Sequence, residues 1–174
     1  MNSWIFVEGA TAQKLLARVL EDLKPRYASR VVQGGGRDAV RPMARRQLLT
    51  KREPVALVVD SDTTNERRAK TQRRELEDYL AWGAAGTPFK VVQFIPEIEV
   101  VFFDCPSVLY RIVGKKIDTH AQEAGKLAPH RALAMLMPAY EKIAGIDKLR
   151  REDVGELRKH PVMVELRQFV EAAG

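Results

Sequence analysis

Pro54-Val55-Ala56-Leu57-Val58-Val59-Asp60-Ser61-Asp62 decides how this chain is read. An unbroken apolar run, rich in valine, stops on two aspartates separated by a serine. A run with no polar alternation marks a strand covered on both faces, as in a parallel sheet between helix layers. A carboxylate just past such a strand stands at the carboxyl edge of the sheet, where open α/β sheets bind their ligands. The same pattern occurs at the N-terminus, where Trp4-Ile5-Phe6-Val7 leads into Glu8-Gly9. If the two strands are neighbours, Glu8, Asp60 and Asp62 converge. Convergent carboxylates repel one another and favour a hard divalent cation such as Mg²⁺.

Outward from these two strands the pattern alternates. Residues 3–7 read as a strand. Residues 10–24 read as a helix with Leu15, Leu16, Val19, Leu20 and Leu23 on one face, Thr11 as N-cap and Lys24-Pro25 as its end. Arg30 to Gln33 read as a second strand, closed by Gly34-Gly35-Gly36, a turn without the lysine-serine or lysine-threonine of a P-loop. Residues 38–50 read as a basic helix interrupted by Pro42, 54–60 as the third strand, and 64–82 as a charged helix with Leu76, Tyr79 and Leu80 inward. Phe89 to Phe94 read as a fourth strand. This β-α-β-α-β-α-β order predicts a mostly parallel four-stranded sheet flanked by helices.

After Pro96 the pattern changes. Glu97 to Phe103 reads as the start of a helix with acids in its first turn, and from about residue 118 onward the chain reads as helical. Pro138 is expected to kink or split Leu127 to Ile146, and Pro161 to break Arg150 to Ala173. We expect an α/β core over residues 1–104 and a helical C-terminal extension over 105–174 packed on it.

The chain has 174 residues, 45% of them hydrophobic, enough for a core without disulfides. Cys105 is the only cysteine, so no intrachain disulfide forms, and a reducing cytoplasm fits. His120, His130 and His160 lack metal-ligand spacing and read as surface or packing residues. No segment reaches the roughly 20 apolar residues that span a bilayer, and the N-terminus has no signal-peptide pattern. The net charge of +6 permits a polyanionic partner. Arg37, Arg41, Arg45, Arg46, Lys51 and Arg52 form a local excess opposed only by Asp38, and the four arginines from 37 to 46 are candidate nucleic-acid contacts. Arg67, Arg68, Lys70, Arg73 and Arg74 are balanced by Glu66, Glu75, Glu77 and Asp78 and read as a solvated helix face. Leu133, Met135, Leu136 and Met137 read as core or as a surface for a second copy or a partner protein.

Ile5-Phe6-Val7-Glu8-Gly9-Ala10-Thr11 and Ala56-Leu57-Val58-Val59-Asp60-Ser61-Asp62, in this order and strand context, resemble the Toprim domain family. That likeness covers roughly residues 1–95. Phe94-Ile95-Pro96-Glu97-Ile98-Glu99 resembles a segment of small stand-alone Toprim-like proteins related to the overcoming-lysogenization-defect nucleases, which extends it to about residue 104. The resemblance implies a nuclease in which Asp60 and Asp62 hold Mg²⁺ or Mn²⁺. Glu8 would be a further ligand or acid-base, and Glu97 another acid near the metal. If Glu97 or Glu99 reaches the site, two metals become feasible. Gly9 would let the backbone turn beside the phosphate, and Lys115 or Lys116 would neutralise the transition state. It also implies a phage-defence or mobile-element setting. Nuclease-type members carry an acid four residues after the first glutamate. Here that residue is Ala12, so this second-metal ligand is missing.

Other readings remain open. Asp60 to Thr64 would also serve as a helix cap, and Glu97 and Glu99 as acids favouring a helix dipole. The domain would then bind metal or nucleic acid without cutting, or depend on a partner for its chemistry. Leu57 to Thr64 also fits the first motif of haloacid-dehalogenase-type phosphatases, a reading that leaves Glu8 unexplained.

Overall fold

The computed structural model describes residues 2–137 and 142–174. Four strands form one sheet: β1 (Ser3–Val7), β2 (Ser29–Gln33), β3 (Val55–Asp60) and β4 (Phe89–Phe94). All pairings are parallel and the order is β2-β1-β3-β4. The two strands that carry the acidic ends are therefore neighbours, with Val7 beside Val58.

Period-two alternation divides the core. Ile5, Val7, Ala56, Val58, Val92 and Phe94 share one face with α1 (Ala10–Val19) and the C-terminal helices. Phe6, Val55, Leu57, Val59 and Val91 face α2 (Arg37–Lys51) and α3 (Glu66–Ala84). The apolar run of β3 is buried on both sides because both faces are covered.

The helix expected over 10–24 is regular only to Val19. Its inward leucines are buried as expected, but Leu20 and Leu23 lie in turns after it. The early end follows from long-range arginines. Arg158 Nε and Arg167 donate to the Val19 carbonyl at 2.9 and 2.8 Å, satisfying an acceptor that a longer helix would have used. Its N-cap is Gly9, and Thr11 lies inside the helix. Pro42 does not interrupt α2, which runs through it. The proline lies early in the helix, where a missing N–H forfeits one ladder bond. The cap of α3 is Asn65, whose side chain accepts from the Arg68 amide, and not the Asp60–Thr64 segment.

Beyond β4 come α4 (Val100–Asp104), α5 (Pro106–Val113), α6 (Thr119–Leu127), α7 (Pro129–Leu136), α8 (Lys142–Asp147), α9 (Arg151–Leu157) and α10 (Pro161–Ala173). Pro161 opens α10 and separates it from α9, as the sequence predicts. Pro138 lies outside the described residues. Arg18 of α1 donates to the carbonyls of Ile146 and Leu149, both at 2.8 Å. Glu165 of α10 pairs with Arg73 of α3 and with Lys90 of β4. Leu133 is buried in the core, whereas Met135 is 77% exposed. No helix among the described residues is long and apolar enough to cross a membrane.

Candidate functional site

The site is assembled at the carboxyl edge of β1 and β3. Three loops meet there: the turn after β1 with Glu8, the turn after β3 with Asp60 to Thr63, and the segment 95–99 after β4. Backbone bonds stitch the last two together. The Ser61 amide donates to the Phe94 carbonyl and the Asp62 amide to the Pro96 carbonyl, both at 2.9 Å. Ser61, almost fully buried, donates its hydroxyl to the carbonyls of Thr63 (2.9 Å) and Pro96 (3.3 Å). The Ile98 amide donates to Asp60 Oδ1 at 2.8 Å. These bonds seat Ile98 and Glu99 directly above the end of β3.

A cavity of about 260 Å³ opens at this point. Its lining includes Glu8, Asp60 and Glu99, with Gly9, Ala12 and Ile98 between them. Three carboxylates thus face one small space. Burial, then the charges of Glu99 and Glu8, push the Asp60 carboxyl up to about 8. Burial also raises Glu8, opposed by Arg37.

Arg37, a candidate nucleic-acid contact by sequence, lies inside the acidic centre. Its Nε stands 3.4 Å from Glu8 Oε1 and one terminal nitrogen 2.7 Å from Asp62 Oδ2. The same terminal nitrogen donates to the Asp60 carbonyl. Asp62 sits at the rim, its side chain 61% exposed and its backbone left-handed at φ 52. Aspartate tolerates this conformation better than most residues.

Glu97 and Glu99 occupy different places. Glu99 is 3% exposed and lines the cavity, with His130 Nδ1 3.7 Å from its Oε1. Glu97 lies outside the cavity lining and accepts from the His130 amide at 3.2 Å. Burial and the Glu99 charge raise its carboxyl. Neither acid is in a regular first turn. Both precede α4, with Glu99 as its N-cap. The likeness of Phe94 to Glu99 to a Toprim-like segment nominates Glu97, but the turn that follows Pro96 places Glu99, not Glu97, at the cavity.

Gly9 is extended and open around its α-carbon, so its position does not require glycine. Lys115 and Lys116 are exposed in the turn after α5 and are not in the cavity lining. Arg45 places its guanidinium over the Tyr79 ring at 4.8 Å, between α2 and α3. Arg41 lines a separate cleft with Asp38, Gln72 and Tyr79, and Arg46 is exposed.

An all-oxygen donor set facing one cavity suits a hard cation. Burial, and then repulsion by Glu99 and Glu8, raises Asp60, and a bound cation offsets both. As placed, no three acid, histidine or cysteine side chains among the described residues already surround a common ion position. The Arg37 guanidinium holds Glu8 and Asp62 instead.

No family model matches the chain, and no curated protein matches it in sequence. Among solved structures, the C-terminal region of the Burkholderia pseudomallei OLD protein shares its fold. The TM-score is 0.59 at 16% identity, over 99% of this chain and 98% of that one. The C-terminal region of the Xanthomonas campestris pv. campestris OLD protein aligns with a TM-score of 0.50 at 17% identity, over 98% and 94% of the two chains. At these identities the likeness is one of fold. It spans the sheet and the C-terminal helices together.

Proposed function

We propose that this chain is a Toprim-like, divalent-metal-dependent nuclease that hydrolyses phosphodiester bonds of DNA or RNA with Mg²⁺ or Mn²⁺. The observation that carries the reading is the convergence of Glu8, Asp60 and Glu99 on one cavity at the carboxyl edge of adjacent parallel strands. The motifs that resemble Toprim sequences supply two of these acids, and the fold likeness to OLD C-terminal regions supports the same family. Asp60 and Glu99 would hold the ion, with Glu8 at the same cavity and Asp62 at its rim, both paired with Arg37. Such an ion, when bound, polarises a phosphodiester oxygen and lowers the pKa of a bound water. Arg37 orients Glu8 and Asp62, and the Ile98 amide fixes Asp60 toward the cavity. Arg41 and Arg46 on α2 are the candidate contacts to the nucleic-acid backbone. The resemblance supports a phage-defence setting.

The test is cleavage of labelled single-stranded and duplex DNA and RNA with Mn²⁺. Activity is expected to vanish with chelator and in Asp60→Asn while the fold persists. Cleavage indifferent to both defeats the reading.

A binding-only module is the second reading. Ala12 gives the cavity no side-chain oxygen donor at its position, and Arg37 already pairs with two of the acids. It predicts salt-sensitive nucleic-acid binding with no product at any metal concentration. Release of phosphate from a small monoester, with a phosphoryl group trapped on Asp60, would mark a phosphatase instead.

A further inference from the structure

The four carboxylates of the site divide into two pairs. Glu8 and Asp62 form an outer pair, both held by the guanidinium of Arg37. Asp60 and Glu99 form an inner pair; they line the cavity together with Glu8, His130 Nδ1 stands 3.7 Å from Glu99, and among the described residues no arginine or lysine is in the lining.

The placement of Arg37 is built into the chain. It is the first residue of α2, delivered by a loop pinned to the end of β1. The Gly34 amide donates to the Val7 carbonyl and the Gly36 amide to the Glu8 carbonyl, both at 2.8 Å. Gly35 and Gly36 take φ of 77 and 119, a backbone that other residues rarely adopt. A planar guanidinium then reaches three acceptors on two loops: Glu8, Asp62 and the Asp60 carbonyl. Only arginine offers that fork, and its charge does not depend on pH or on ion concentration.

We propose that Arg37 is a resident second cation: it holds the outer carboxylate pair permanently, so the site takes one divalent ion, on the Asp60–Glu99 side, instead of two. This inference rests on the metal-site reading and specifies its stoichiometry. The basic residue at the start of α2 then serves the acidic centre, and the strand contacts fall to the rest of that helix.

The test is a Mn²⁺ titration of the whole chain, following the free-ion signal by electron paramagnetic resonance. The wild type is expected to bind one ion per chain. Arg37→Gln removes the charge but keeps a polar side chain, and is expected to bind two. A wild type that takes two ions overturns the inference and leaves the nuclease reading intact. So does an Arg37→Gln protein that still takes one, whatever its affinity. A wild type that takes none overturns the metal reading itself. Circular dichroism checks the variant's fold, and the wild-type stoichiometry stands as a test if the variant does not fold.

Discussion

The backbone amide of Ile98 donates to Oδ1 of Asp60 at 2.8 Å, tying the loop after β4 to the last residue of β3. This bond explains how a segment outside the sheet delivers an acid to the sheet's edge. Glu99 follows Ile98, is buried, and faces the same cavity as Asp60. The arrangement concentrates negative charge in a small space, a state costly in a folded protein unless a cation joins it.

The cost should be measurable as stability. Asp60 titrates near 8 in the folded chain against 3.8 ordinarily. Between these values the folded state keeps a proton that the unfolded chain releases. The contribution of Asp60 to stability is therefore greatest below about pH 4 and is lost as pH rises through about 8. Asp60→Asn removes the charge and keeps the acceptor for Ile98. In chelator it is expected to raise the melting temperature by roughly 5 °C at pH 8 and to change it little at pH 4. Thermal melts at the two pH values check this.

Glu165 should show the opposite sign. Burial alone would raise its carboxyl, but hydrogen bonds from Arg73 and Lys90 hold it below the ordinary range. Its contribution is present above its ordinary value of 4.5 and lost as pH falls below it. Glu165→Gln is expected to cost about 1 kcal/mol at pH 7, less in high salt. Denaturant melts at two ionic strengths measure it.

The glycine loop before α2 should be intolerant of bulk. A Cβ on Gly34 would meet Val40 Cβ at 2.5 Å and its Cα at 2.6 Å. Val40 is fully buried, so the loop or the helix must shift. Gly34→Ala is expected to cost about 1–3 kcal/mol and to move Arg37. Loss of stability by urea denaturation, with altered Mn²⁺ binding, is the readout.

Arg45 and Arg46 should separate packing from nucleic-acid contact. Arg45 covers the Tyr79 ring, and Arg46 is solvent-facing. Arg45→Ala is expected to lose about 0.5–1 kcal/mol of stability. Arg46→Ala is expected to leave stability within about 0.5 kcal/mol and to lower the salt slope of nucleic-acid binding by about 1. Chemical melts and fluorescence anisotropy at several salt concentrations compare the two.

The strands were legible because their apolar runs are bounded sharply: Ser3–Val7, Val55–Asp60 and Phe89–Phe94 lie where hydropathy places them. The adjacency of β1 and β3, on which the convergence of Glu8 and Asp60 depends, is also as the motifs require. The end of α1 was not legible, because Arg158 and Arg167 arrive from far along the chain to take the carbonyl of its last residue, Val19. Which glutamate of Glu97-Ile98-Glu99 turns inward was not legible either, since a turn and not a periodic element sets it. Arg37 read as one basic residue among several. Its place among the acids depends on left-handed glycines whose spacing carried no P-loop signature. A basic residue directly after a glycine run, at a helix start beside acidic strand ends, was the signal available.

On the proposed reading, the cavity between Asp60 and Glu99 is a metal centre. Crystals soaked in Mn²⁺ and measured for anomalous scattering test it most directly. One peak is expected in that cavity, in contact with Asp60 and Glu99. A soaked crystal with no peak there, or with ions only elsewhere on the surface, would contradict it.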